Sequence, residues 1–200
     1  MLYSMSSARA ENTRVAILDA ARSLYEVHGY FSVGLEAVAK RAGVSRQAVY
    51  LHFESKAELL RALHARINEQ DVSPVMNGVW NRPTAMESLD AFIDASVKGA
   101  RKIIVIAKAL DAARRGDPDV EETWKEPEAG RYADCRRMAE WLKRDGELAP
   151  GMKVAEAADI IWSLASFGGY ESLVIDRGWS TTRWSQWLKQ TLRLVIADQI

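Results

Sequence analysis

The chain has 200 residues, of which 48% are hydrophobic and 27% charged, and its formal net charge is zero. That profile suits a soluble globular protein with room for one or two domains and a sizeable core. It excludes a protein that is basic all over, such as a chromatin packer, but leaves room for a local nucleic-acid face.

Strand signals are nearly absent and helical periodicity recurs throughout, so the chain reads as all-α, with about nine helices. The first spans Thr13–His28, with Ile17, Ala20, Ala21, Leu24 and Val27 as its apolar stripe. Asn12 or Thr13 can cap its start and Gly29 its end. A short helix over Leu35–Ala42 is followed by the turn Gly43-Val44 and a third helix over Arg46–Phe53. A fourth begins after Ser55, where "SKAE" is a capping box with Glu58 reaching back, and runs to about Gln70. Two prolines and a glycine in Asp71–Pro83 mark a bend, and Pro83 can open the next helix. Helices over 84–98 and 100–115 follow, ending at Gly116-Asp-Pro118. A long helix over 119–145 is expected to kink or split at Pro127 and Gly130. After a loop at 146–151 come helices over 153–176 and 181–198. The domain reading is 1–56 for the N-terminal domain and 57–200 for a second, with helix 57–70 as connector.

The stretch "KRAGVSRQAVYLHFESK", Lys40–Lys56, has the design of a helix-turn-helix. Gly43 can take positive φ at the turn, Ala39 is small enough for a close crossing, and Val38, Val44 and Val49 are spaced to bury between the two helices. Ser45 can cap the second helix. With Val49 set inward and 100° per residue, Phe53 falls about 40° away while Gln47, Leu51 and Glu54 fall on the opposite face. Ala48 and Tyr50 flank them. A glutamine can pair with an adenine edge, and alanine or leucine can lie against a thymine methyl. Ser45, Tyr50, His52 and Lys56 can reach phosphates, which position a reading helix without reading sequence. Residues 1–56 hold seven Lys or Arg against five Asp or Glu, a surplus of the sign a DNA-facing part needs. A dimer has a motive too, since two reading helices must sit ~34 Å apart to read two half-sites.

These motifs, with "ILDAARSLYEVHGY" (17–30) and "VAKRAGVSRQAVYLHFESKAELL" (38–60), resemble the TetR family of transcriptional repressors. "DAARRGDPDVEETWKE", "EAADIIWSLAS" and "DRGWSTTRW" extend the resemblance over nearly the whole chain. The resemblance implies a three-helix DNA-binding domain, a linking fourth helix and a helical regulatory and dimerisation domain. It implies a homodimer on a palindromic double-stranded operator, released by a small-molecule effector, with no cofactor. On matching positions, Ser45, Arg46, Gln47 and Ala48 would touch or approach bases, and Tyr50, His52 and Lys56 would hold phosphates. The chain departs from the family at the start of the second helix, where Val33-Gly34 stands in place of the usual Thr or Ser. Ser32, one residue earlier, is the substitute cap.

In the C-terminal half, Ala165, Ser166, Gly168 and Gly169 place small residues on successive turns, and the final helix carries Trp184, Trp187, Leu188, Leu192 and Ile196. Close approach of a partner helix is the simplest offset for mid-helix glycines, so Ala165, Gly168, Gly169, Trp184, Trp187 and Leu188 are the dimer candidates. Phe92, Ile103, Ile106, Trp124, Met138, Trp141 and Trp162 could line an apolar effector pocket; no charged residue stands out as a polar anchor, with Asp111 and Asp159 unremarkable candidates. The competing possibility is the same fold without a small-molecule effector, controlled by a protein partner.

No His, Cys and acid cluster, phosphate-cradling loop or nucleophile elbow is present, so the chain does not read as an enzyme and no metal is expected. The single cysteine, Cys135, rules out an internal disulfide and fits a reducing cytoplasm. Met1–Thr13 lacks a signal-peptide apolar run and is expected to be a short mobile tail. The longest aliphatic run, 103–107, is far too short to span a bilayer.

Overall fold

The computed structural model describes residues 2–116 and 118–197, and among them it is helical with no strand beyond an isolated bridge between Leu148 and Ala197. The end of the last expected helix at 198 and the turn residue Asp117 lie outside the described residues. The helices are α1 Leu2–His28, α2 Leu35–Ala42, α3 Arg46–His52, α4 Lys56–Ile67, α5 Ser73–Met76, α6 Ala85–Arg114, α7 Pro118–Arg144, α8 Val154–Leu164, α9 Phe167–Tyr170 and α10 Thr181–Ile196. No helix is long and apolar enough to cross a membrane among the described residues.

The chain divides into two compact units. One comprises residues 1–67 and 103–124, the other 68–102 and 125–200. A single cut at 56 therefore does not describe them: α4 and the 103–124 segment belong with the N-terminal helices.

In the first unit α1 starts well before Thr13. Thr13 does not cap it; its hydroxyl donates to the Arg9 carbonyl at 3.0 Å, a bond made inside the helix. The buried face of α1 is Ile17, Leu18, Ala20, Ala21 and Tyr25, while Leu24 is only half-buried and Val27 is 72% exposed. The apolar stripe thus turns toward Tyr25 at its C-terminal end. Val38, Ala39, Val49, Phe53, Leu59, Leu60, Leu63 and Ile67 complete the core that α2, α3 and α4 build with α1. Val44 is half-buried. Arg66 ties α4 to α1, donating to the Val15 carbonyl at 3.2 Å and pairing with Asp19 at 3.0 Å.

In the second unit α4 gives way to a π-helical turn, Asn68–Val72. Thr84, not Pro83, opens α6: its hydroxyl accepts from the Glu87 N–H at 3.2 Å. The helices expected over 84–98 and 100–115 are one, because Gly99 is no break. A Cβ there would lie 3.1 Å from Val72 Cγ1, so the glycine lets α6 approach the π-turn closely. α7 likewise runs on through positions 127 and 130. The helix expected over 153–176 does break. Ser166 accepts from the Gly169 N–H at 3.2 Å and starts a new helical turn, α9, which passes into a second π-turn, Glu171–Asp176. α10 packs on α8, with Trp184, Leu188, Leu192 and Ile196 buried in the chain's own core.

Candidate nucleic-acid interface

The turn between α2 and α3 follows from Gly43, whose φ is +70°. Its N–H bonds the Lys40 carbonyl at 3.3 Å and the next N–H, of Val44, bonds the Ala39 carbonyl at 3.1 Å, which closes α2. No atom outside its immediate neighbours lies within 4 Å of a Cβ built there, so conformation alone calls for glycine. Ser45 then caps α3, accepting from the Ala48 N–H at 3.1 Å.

Val49 and Phe53 fix α3 to the core, at 0% and 1% exposure. Ser45, Arg46, Gln47, Tyr50 and Leu51 stand exposed, and Ala48 and His52 are half-buried on the flanks. Leu51 is 79% exposed, the extreme among the large apolar side chains of the described residues. Arg46 is not loose. It donates to the Tyr50 hydroxyl at 3.3 Å and its guanidinium lies 5.6 Å from the centre of that ring. The hydrogen bond to Tyr50 raises the Arg46 pKa further above its already high value.

Beside α3 lies an open groove of about 510 Å³, lined by Gly34, Leu35, Glu36, Arg46, Tyr50, Glu54, Ser55 and Lys56. Two helix N-termini meet it. α4 is capped as expected by Ser55, which accepts from the Glu58 N–H at 3.0 Å; Glu58 in turn reaches back to the Glu54 N–H rather than to that of Ser55. α2 has no side-chain cap: Gly34 holds the cap position and Ser32 does not substitute. Amide groups at such an end suit an anion, and here they come with Arg46 and Lys56. Lys56 places its ammonium 4.2 Å from the centre of the Tyr30 ring, and burial lowers its pKa from the usual lysine value. Tyr30 was not among the residues singled out from the sequence, because its role depends on a turn at Gly29, with φ +76°, that returns it to the start of α4.

The other expected sites fare differently. Phe92, Ile103, Ile106 and Met138 are buried at 3% exposure or less, and Trp124, Trp141 and Trp162 are half-buried. Asp111 is taken by Arg114 and Arg115, at 2.7 and 3.0 Å. A groove of the second unit, about 420 Å³, is lined by none of the expected pocket residues and is largely polar, with Arg82, Glu87, Asp90, Asp94, Lys98 and Lys189. Of the dimer candidates, Trp184 and Leu188 are buried at 1% and 0% and present no surface to a partner. A Cβ on Gly169 would meet the Leu164 carbonyl at 3.1 Å, so that glycine serves the break between α8 and α9. Gly168 is exposed, and Ala165 and Trp187 are half-buried. Cys135 is buried, which pushes its thiol up to about 12, and no group of three or more potential metal ligands occurs among the described residues.

Residues 17–63 match the family model described as bacterial regulatory proteins, tetR family. Among curated relatives, SrpR of Pseudomonas putida, an HTH-type transcriptional regulator, is 43% identical over 60 residues, 30% of this chain and 28% of SrpR. The chain thus matches well under half the length of that relative. BepR of Brucella suis biovar 1, an HTH-type transcriptional repressor, is 27% identical over 174 residues, 82% of this chain and 81% of BepR. Among solved structures, a transcriptional regulator from Saccharomonospora viridis in complex with choline superposes with a TM-score of 0.81 at 18% identity, covering 93% of this chain and 98% of that one. The helix-turn-helix geometry and the match over 17–63 agree: this part of the chain is similar to the tetR family of bacterial regulatory proteins.

Proposed function

We propose that the chain is a transcriptional repressor that binds a palindromic operator as a homodimer, in the cytoplasm, and is released by a small molecule held in its second unit. The observation that carries the DNA-binding part is the division of α3: Val49 and Phe53 face the core while Gln47 and Leu51 face outward beside a groove with Arg46 and Lys56. Gln47 and Leu51, with Ala48, read base edges; Ser45, Arg46, Tyr50, His52 and Lys56 set the helix against phosphates. The repressor sense follows BepR, a relative that matches over most of this chain.

The effector part is supported by the choline-bound neighbour.

Selection of bound duplexes from a random pool tests the reading. A palindromic consensus is expected, and Gln47→Ala should lose preference at one symmetric pair of positions, by ~1–3 kcal/mol per site, with the fold intact. A protein that enriches no sequence, or a Gln47→Ala variant with unchanged preference, refutes the assigned face.

A further inference from the structure

We infer that Tyr30 is a positioning residue for DNA binding: its ring holds the Lys56 ammonium at the rim of the groove, ready for a backbone phosphate. This rests on the reading of the groove as a DNA-backbone site.

The geometry has three parts. The Lys56 ammonium lies 4.2 Å from the ring centre of Tyr30, well inside the range where a cation is attracted to a ring face. The ring is itself fixed by two edge contacts, with Tyr25 at 5.3 Å and 76° and with Phe31 at 5.1 Å and 75°. Tyr25 is fully buried in the α1 face, so the stack is anchored in the core while its outer member, Phe31, is 69% exposed. The third part is the turn that delivers the ring: α1 ends at Gly29, and the Val33 N–H bonds the Tyr30 carbonyl at 3.3 Å.

Electrostatics gives this support a purpose. The groove that Lys56 lines also holds Glu36 and Glu54, set against Arg46 and Lys56. A lysine on a flexible four-carbon stem would lower its energy by folding onto either carboxylate, and a paired ammonium is a poor phosphate ligand. Among the described residues Lys56 makes no ion pair; the ring face holds it instead. A ring is a weaker partner than a carboxylate, and it leaves the outer side of the ammonium open. At the other side of the groove Arg46 is also held by an aromatic residue, through a hydrogen bond to the Tyr50 hydroxyl and a ring contact at 5.6 Å. Neither basic side chain is ion-paired with an acid among the described residues, although the charge of Glu36 also acts on Arg46.

The test uses the full chain, the duplex selected from the random pool and an unrelated duplex of equal length. Lys56→Ala, Tyr30→Leu and the double variant are compared over a range of salt. Lys56→Ala and Tyr30→Leu should each weaken both duplexes alike, by about 5- to 30-fold for a dimer carrying two such sites. Each should flatten the salt dependence by about two phosphate contacts. The double variant should be no weaker than Lys56→Ala, since the ring acts only through the lysine. Tyr30→Phe, which keeps the ring, should bind nearly as the parent does. To separate ring electrostatics from packing, fluorinated phenylalanines at position 30 keep the shape while draining the negative face, and affinity should fall stepwise with fluorination. Additive losses in the double variant, or affinity indifferent to fluorination, overturn the proposal. An unaffected Lys56→Ala overturns the backbone reading of the groove, and the proposal with it; an affected Lys56→Ala beside an unaffected Tyr30→Leu overturns the role of Tyr30 alone.

Discussion

Leu51 shows what a single side chain can say about function. It stands 79% exposed in the middle of a helix whose inward residues are fully buried, so the fold gains almost nothing from it. Leu51→Ala should therefore leave stability within ~0.5 kcal/mol of the parent, as surface changes do. Binding to single-base variants of the operator should show ~1 kcal/mol less discrimination at the one position where a thymine methyl meets the side chain. Equal discrimination by parent and variant would remove Leu51 from the reading face. Its outward direction could be read from the sequence, because Val49 sets the inward direction and a short helix has no room to drift from 100° per residue. Gly43 and Ser45 were legible for a similar reason: each does its work within a few residues of itself. Tyr30 and Val27 were not. The first depends on a partner 26 positions away, at Lys56, and the second on the turn of the α1 core face toward Tyr25.

Among the elements, the short helices α2 to α4 and the bounds of α7 and α10 were legible, whereas the continuity of α6 and the break within 153–176 were not. Gly99 read as a helix end because an interior glycine is unfavourable. The offset is a contact with Val72, 27 positions away, that no local pattern announces. The break at Ser166 is the reverse case, a cap inside an apolar periodicity that continues on either side of it. What holds α10 to α6 was equally hidden. Asp94 accepts from the Ser185 hydroxyl and from Lys189, each at 2.7 Å. Burial by itself would raise the Asp94 pKa, but those two hydrogen bonds and the charges of Lys189 and Lys98 outweigh it and hold the carboxyl below its ordinary value. A carboxyl depressed in this way adds stability above its unfolded pKa, ~3.9, and the contribution is lost as pH falls through the folded value. Asp94→Asn should then cost about 1 kcal/mol at neutral pH, given that the carboxylate is half-exposed, and lower the melting temperature by ~2–4 °C. Thermal melts of both proteins should converge as the pH drops below ~4. A constant gap down to acid pH would mean that the side chain acts through packing and not through its charge.

For the whole molecule, less of the apolar surface of α10 is open to any partner than the sequence suggested. The apolar residues of α10 fall into two adjacent stripes. Trp184, Leu188, Leu192 and Ile196 are spent on the chain's own core, while Leu194 and Val195 are 67% and 44% exposed and Trp187 is half-buried. The sequence showed a helix too apolar for a surface, but period alone could not say which stripe the chain keeps for itself. Gly169 likewise belongs to the fold, so a bulky residue there would report on the α8–α9 break before it reported on a partner. The outward stripe is the sounder test. In a two-fold dimer the same patch meets itself, so Leu194→Glu places like charges from the two copies within one apolar contact. Sedimentation should show a dimer for the parent and a monomer for the variant, at concentrations where both are folded. Operator affinity should fall with it, because a monomer engages one half-site and loses the phosphate contacts of the other, which also lowers the salt dependence. A Leu194→Glu variant that still sediments as a dimer would move the interface off α10.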